Sequence, residues 1–108
     1  VMLDSYERIE RLDVLDTPAA RRADYGLMIS GNSMEPAYQD GDIVLVEQAD
    51  SVEVGEIGIF VVDGDGYIKK FGGDCLISLN EDYAPIPLHE YNHVKCCGKV
   101  IGVAQMAE

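Results

Sequence analysis

The sequence predicts a mostly β domain in which short strands form a barrel-like fold. Two observations carry this. From Tyr25 onward, short apolar runs rich in β-branched residues recur at regular spacing. Between them stand clusters of glycine and aspartate, the residues that tight turns favour. A length of 108 residues suits one hydrophobic core and is too short for two independent ones, and a hydrophobic content of 47% argues against disorder.

The first 24 residues differ from the rest. Leu3, Tyr6, Ile9 and Leu12 recur every third position, which suits a short amphipathic helix. Thr17-Pro18 then favours an extended or turn conformation, because a residue before proline avoids the helical region. Residues 1–24 are therefore expected to be a linker or N-terminal arm, docked on a body of residues 25–108.

Within the body, Gly26 to Ser30 is the first short apolar run, and Ile43 to Val46 follows through the turn Asp40-Gly41-Asp42. Ile57 to Val62 ends at Asp63-Gly64-Asp65-Gly66, a strong hairpin signal, with Tyr67 to Phe71 as the returning strand. Gly72-Gly73-Asp74 turns the chain into Cys75 to Leu79. Val94 to Cys97 and Lys99 to Gln105 close it as two segments around Gly98.

The formal net charge is −12. A surface this acidic repels phosphate backbones, so the chain is not expected to bind nucleic acid itself. All four arginines (Arg8, Arg11, Arg21 and Arg22) precede residue 23, and no basic residue lies between Gly31 and Ile68. No apolar run approaches the roughly 20 residues of a membrane helix. The odd set of Cys75, Cys96 and Cys97 does not read as a disulfide framework and fits a reducing cytoplasm. His89, His93, Cys96 and Cys97 lie close in sequence but match no zinc spacing, and strand neighbours point to opposite faces. Neither a metal nor a cofactor is expected.

Chemistry is most readable around Gly31-Asn32-Ser33-Met34-Glu35-Pro36. A serine on a turn after an apolar strand can present its hydroxyl to a cleft, yet most such serines are only turn residues. To act as a nucleophile it needs a base within hydrogen-bond reach. His89 and His93 fall in a proline-containing loop and form no compelling Ser-His-Asp arrangement. A lysine could serve if burial brings its pKa down. Period-two alternation in Tyr67-Ile68-Lys69-Lys70-Phe71 puts Lys69 between two aromatics on one face, with Lys70 on the other. The ordinary alternative is a pair of surface lysines guarding a hairpin edge.

Gly31-Asn32-Ser33-Met34-Glu35-Pro36, followed by Asp40-Gly41-Asp42-Ile43-Val44, closely resembles the nucleophile region of the LexA-like serine–lysine peptidases. That family comprises LexA, the lambdoid phage repressors and the UmuD-type proteins. Tyr67-Ile68-Lys69-Lys70-Phe71 is similar to its lysine strand. Leu76-Ile77-Ser78-Leu79-Asn80-Glu81-Asp82-Tyr83 and Cys97-Gly98-Lys99-Val100-Ile101-Gly102 match two later stretches. The four signatures stand in the family's order across residues 25 to 105. The resemblance implies a barrel of short, highly bent antiparallel strands with a short N-terminal helix or arm. It implies Ser33 as nucleophile, Lys69 as general base, and an oxyanion hole from the backbone amides of Asn32 and Ser33.

By that resemblance, the chain would be the regulatory and dimerising C-terminal domain of a helix-turn-helix repressor. Such a protein is a homodimer, cuts its own upstream linker when it meets a RecA filament, and binds DNA through an N-terminal domain absent from this chain. One departure matters. Self-cleaving members cut an Ala-Gly or Cys-Gly bond upstream of the serine, and no such pair precedes Ser33. The chain therefore either starts after the scissile bond, as its first residue Val1 suggests, or is a dimerisation module that does not cleave. A type I signal peptidase shares the Ser-Met-x-Pro pattern and a lysine base, but needs a membrane anchor that this chain lacks.

Overall fold

The β-branched runs pair into one antiparallel sheet. The computed structural model describes residues 6–9 and 16–105, with β1 (Tyr6–Ile9), α1 (Pro18–Arg22), β2 (Tyr25–Ile29), β3 (Ile43–Glu47), β4 (Ile57–Val62), β5 (Asp65–Phe71), β6 (Cys75–Ile77), β7 (Ile86–Pro87) and β8 (Val94–Val103). A 3₁₀ turn, Leu88–Glu90, precedes β8. The strand order is β1-β2-β3-β8-β4-β5-β6-β7, and every pairing is antiparallel. The sheet curls into a half-barrel, so that β1 touches β5 although the two are not ladder neighbours. This curl brings the β2–β3 loop over β5.

The β4–β5 hairpin forms where the Asp-Gly sequence places it. Asp63 and Gly64 both have positive φ, at 46° and 90°, as a tight turn matching the strands' right-handed twist requires. Gly64 holds such a φ without strain, and aspartate is among the few other residues that tolerate it. β8 lies between β3 and β4 and is continuous through Gly98, where two separate segments were expected. Its register slips once against each neighbour, between Leu45 and Val46 and between Ile59 and Phe60. Such irregularities bend a strand without ending it. Gly98 is buried there because the Val46 side chain, the Tyr25 hydroxyl and the Glu47 carbonyl crowd the space a Cβ would fill.

The N-terminal segment corrects one expectation. Tyr6 and Ile9 lie in β1, which pairs with β2 from Tyr6↔Ile29 to Ile9↔Gly26, and not in a helix. Leu3 and Leu12 lie outside the described residues. A few apolar residues at spacing three do not outweigh the open edge of β2, whose backbone groups β1 satisfies. The helix comes later. Thr17 is extended (φ −112°, ψ 163°), as a residue before proline should be, and its side chain accepts from the Ala20 amide at 3.1 Å. Pro18 takes the first helical position, where it has no amide to leave unpaired.

Candidate active site

Ser33 sits in the loop that joins β2 to β3, and the loop is closed at its base. Ile29 N donates to Asp42 O at 2.8 Å and Gly41 N to Ile29 O at 2.8 Å, so the Asp40-Gly41-Asp42 turn is tied to the end of β2. Gly41 turns the chain at φ +89°. The Asp40 carboxylate accepts from the Gly31 amide at 2.9 Å, and Asp42 accepts from the Gln39 amide at 2.9 Å. Met34 then drops into the core with no exposed surface, beside Leu27, Ile29, Val44 and Ile68, while Tyr38 packs half-buried on the same cluster. Burial pushes the Tyr38 phenol above its ordinary range. The Glu35–Pro36 peptide is cis.

Lys69 comes from β5. It is 2% exposed and Ser33 is 1% exposed; Ser78 is the third buried polar residue of the described chain. Lys69 Nζ lies 2.7 Å from Ser33 Oγ in a buried hydrogen bond. The expected strand parity holds: the ammonium also stands 5.8 Å from the Tyr67 ring centre, while Ile68 packs on the other cluster. Phe71 stacks on Phe60 with ring centres 5.9 Å apart. Lys70, on the far face, is only half-buried. Two adjacent lysines thus meet opposite environments.

The turn carrying Ser33 has a second set of partners. Asn80 N donates to Ser33 O at 2.9 Å, and Asn80 Nδ2 donates to Asn32 O at 3.0 Å. The Tyr83 hydroxyl donates to Asn32 Oδ1 at 2.5 Å. Asn80 itself is set by a local turn in which its side chain accepts from Asp82 N at 3.0 Å. Among the described residues, the amides of Asn32 and Ser33 donate to no protein acceptor. Sequence reasoning matched Asn80 and Tyr83 to a signature without assigning them a task. An asparagine and a tyrosine three apart were the available signal, because both carry groups able to reach a neighbouring backbone.

The other residues with chemical potential do not join this site. Cys97 faces the cluster beneath Ser33 and Cys96 faces the opposite one, as strand alternation requires. Burial holds the Cys96 and Cys75 thiols above their ordinary range, with Asp74 adding to the effect at Cys75. His89 and His93 are exposed. The backbone of His93 engages Asp63 at the hairpin end, with Asp63 N donating to His93 O at 2.8 Å. Among the described residues, no group of three or more histidine, cysteine or acidic side chains could hold a metal ion.

The family model of Peptidase S24-like proteins matches residues 3–101. The chain is 34% identical over 86 residues to the LexA repressor of Carboxydothermus hydrogenoformans, an alignment covering 73% of this chain and 41% of that protein. It is 35% identical over 105 residues to the LexA repressor of a Nocardioides species, covering 90% and 41%. Against the LexA repressor of Geobacter metallireducens it is 30% identical over 108 residues, covering 94% and 54%. The chain thus spans about half the length of these relatives, or less. No helix among the described residues is long and apolar enough to cross a membrane. The family match over residues 3–101 and these relatives show that the chain belongs to the Peptidase S24-like family as a LexA-like C-terminal domain.

Proposed function

We propose that this domain is the regulatory and dimerising C-terminal part of a helix-turn-helix transcriptional repressor, and that Ser33 and Lys69 cut the protein's own upstream linker. One observation carries the catalytic half of this reading: the buried 2.7 Å contact between Lys69 Nζ and Ser33 Oγ. A serine hydroxyl is a weak nucleophile until a base takes its proton. Lys69 does so as a neutral amine, with the hydrogen bond running from the hydroxyl to the nitrogen. Ser33 Oγ then attacks the linker carbonyl. The amides of Asn32 and Ser33 stabilise the negative charge that develops on the carbonyl oxygen. Lys69 passes its proton to the departing amine, and water releases the acyl group from Ser33 by the reverse sequence.

The regulatory half rests on the LexA-like relatives. Residues 1–24 act as the arm and residues 25–108 as the peptidase and dimerisation body. DNA is bound through a separate N-terminal domain, a RecA filament is the trigger of cleavage, and the protein works as a cytoplasmic homodimer. Cutting the linker separates the DNA-binding half from the half that pairs it, so two weak contacts lose the advantage of being tethered. Cys97–Gly98, a pair of the right chemistry, lies within β8 with Gly98 buried and is no substrate for Ser33.

The test is self-cleavage of a chain extended upstream to include the linker and N-terminal domain, followed by gel and intact mass. Cleavage should rise with pH, because only the neutral amine of Lys69 accepts the serine proton. Ser33→Ala and Lys69→Ala should each abolish it. Cleavage that survives either substitution removes the catalytic assignment. An extended chain that dimerises in sedimentation experiments and never cleaves is instead a repressor dimerisation module without peptidase activity.

A further inference from the structure

An oxyanion hole made of two backbone amides works only if both point at one place, and misplacement by about 1 Å costs on the order of a hundredfold in rate. Within the Ser33 turn, Glu35 N donates to Asn32 O at 3.2 Å and Tyr38 N to Met34 O at 3.0 Å. The loop after β6 adds to this bracing. We propose that Asn80 and Tyr83 are positioning residues that hold the Asn32–Ser33 amides open toward the linker carbonyl. This deepens the serine–lysine reading and rests on it.

Peptide planarity links Asn80 to the Ser33 amide. Asn32 C=O and Ser33 N–H belong to one rigid trans plane and point in opposite directions. Asn80 Nδ2, bonded to Asn32 O at 3.0 Å, therefore fixes the direction of the Ser33 amide from behind. Asn80 N, bonded to Ser33 O at 2.9 Å, fixes the next plane in the same way. One residue thus holds both sides of the nucleophile.

Tyr83 acts on a side chain. Asparagine in a turn readily bonds nearby backbone amides with its own Oδ1. Such a bond at Asn32 would occupy the donors that the oxyanion needs. The Tyr83 hydroxyl instead holds Asn32 Oδ1 at 2.5 Å and keeps it away from them. It follows that Tyr83 is needed only while residue 32 has a side chain able to compete.

The experiment uses the 108-residue chain and a fluorophosphonate probe. Ser33 Oγ bonds to phosphorus, fluoride leaves, the serine proton passes to Lys69, and the phosphoryl oxygen occupies the oxyanion position. Intact mass gives the maximal labelling rate and the half-saturating concentration, with a thermal unfolding midpoint measured beside them. Tyr83→Phe should slow the maximal rate about tenfold and Asn80→Ala about a hundredfold, at unchanged half-saturation. In an Asn32→Ala background, Tyr83→Phe should have no effect on the rate, which a merely structural tyrosine would not predict. If Asn80→Ala does not fold, Tyr83→Phe and its Asn32→Ala partner carry the test. Wild-type rates in Tyr83→Phe, or an equal loss in the Asn32→Ala background, overturn the inference while Ser33-dependent labelling leaves the dyad standing. A wild type that is not labelled, or labelling that persists in Ser33→Ala, removes the dyad and the inference together.

Discussion

The cluster beneath Ser33 and the cluster behind Lys69 are built differently. The first is larger and aliphatic at its centre: Leu27, Ile29, Val44, Val46, Ile59, Ile68 and Val100 come from five strands, Met34 joins them from the loop itself, and Tyr25 and Tyr38 are in its half-buried shell. The second has Phe60, Val62 and Leu76 at its centre and a partly exposed shell that includes Tyr67, Phe71 and Leu88. Ser33 is therefore anchored one residue away from the fully buried Met34. Lys69 stands on a strand, on the face of the shallower aromatic group. The two reactive groups approach from separate cores, so their 2.7 Å contact depends on the curl of the sheet between them.

Truncations in the two clusters test that division. Phe60→Ala should cost the most stability, about 3–5 kcal/mol by urea unfolding, because it removes a large buried ring and its stacking on Phe71. Met34→Ala should cost about 2–5 kcal/mol. Their effects on the remaining folded protein should differ. Met34→Ala should slow fluorophosphonate labelling of Ser33, since the loop loses its anchor, while Phe60→Ala should leave the labelling rate of the folded fraction unchanged. Equal slowing by both would mean that the two clusters act as one.

Gly98 marks where the halves meet on β8. A Cβ at this position would press on the Val46 side chain and on the Tyr25 hydroxyl, which donates to Cys97 O at 2.9 Å. Gly98→Ala should therefore destabilise by about 1–3 kcal/mol, read from the same unfolding curves. A neutral result would show that β8 shifts freely between its neighbours and does not hold the two clusters apart at Gly98.

The smallest effect is expected at the surface. Lys99 donates to Glu56 at 2.5 Å across the β4–β8 side of the sheet. Lys99 holds the Glu56 carboxyl below its ordinary range, and Glu56 in turn raises the Lys99 ammonium above its own. The carboxyl contribution is present above the ordinary glutamate range and is lost as pH falls through the lowered folded value. The ammonium contribution is full below the ordinary lysine range and is lost as pH rises through the raised one. Glu56→Gln should thus lower the thermal midpoint slightly at neutral pH and not at all in strong acid. Solvent screening keeps the difference small, and added salt should shrink it further. A Glu56→Gln deficit that persists in strong acid would show that packing, not charge, sets it.

Much of this was readable in the sequence where the cause is local. Asp63-Gly64 specified a tight hairpin because few other residues accept two successive positive φ values, and the β4 run between Ile57 and Val62 emerged with the expected bounds. The parity of Tyr67, Lys69 and Phe71 followed from strand geometry alone. The misreadings have equally local causes. Tyr6 and Ile9 fit a helical spacing, but the partner that made them a strand, β2, lies some twenty residues away. Gly98 looked like a break between two segments, because a glycine needed for close approach and a glycine that ends a strand look alike in sequence.

The sequence by itself determined the parts of the site: a serine on a turn flanked by glycine and proline, a lysine flanked by aromatics, and strand runs whose alternation assigns each side chain a face. These follow from backbone sterics and the two-residue repeat, which act over a few residues. Only the tertiary structure decided that Ser33 and Lys69, 36 positions apart, meet, and that Asn80 and Tyr83 close on the turn from behind. The reason is that strand order and curl are set by burying both faces of one sheet at once. That balance belongs to the whole chain and to no segment of it.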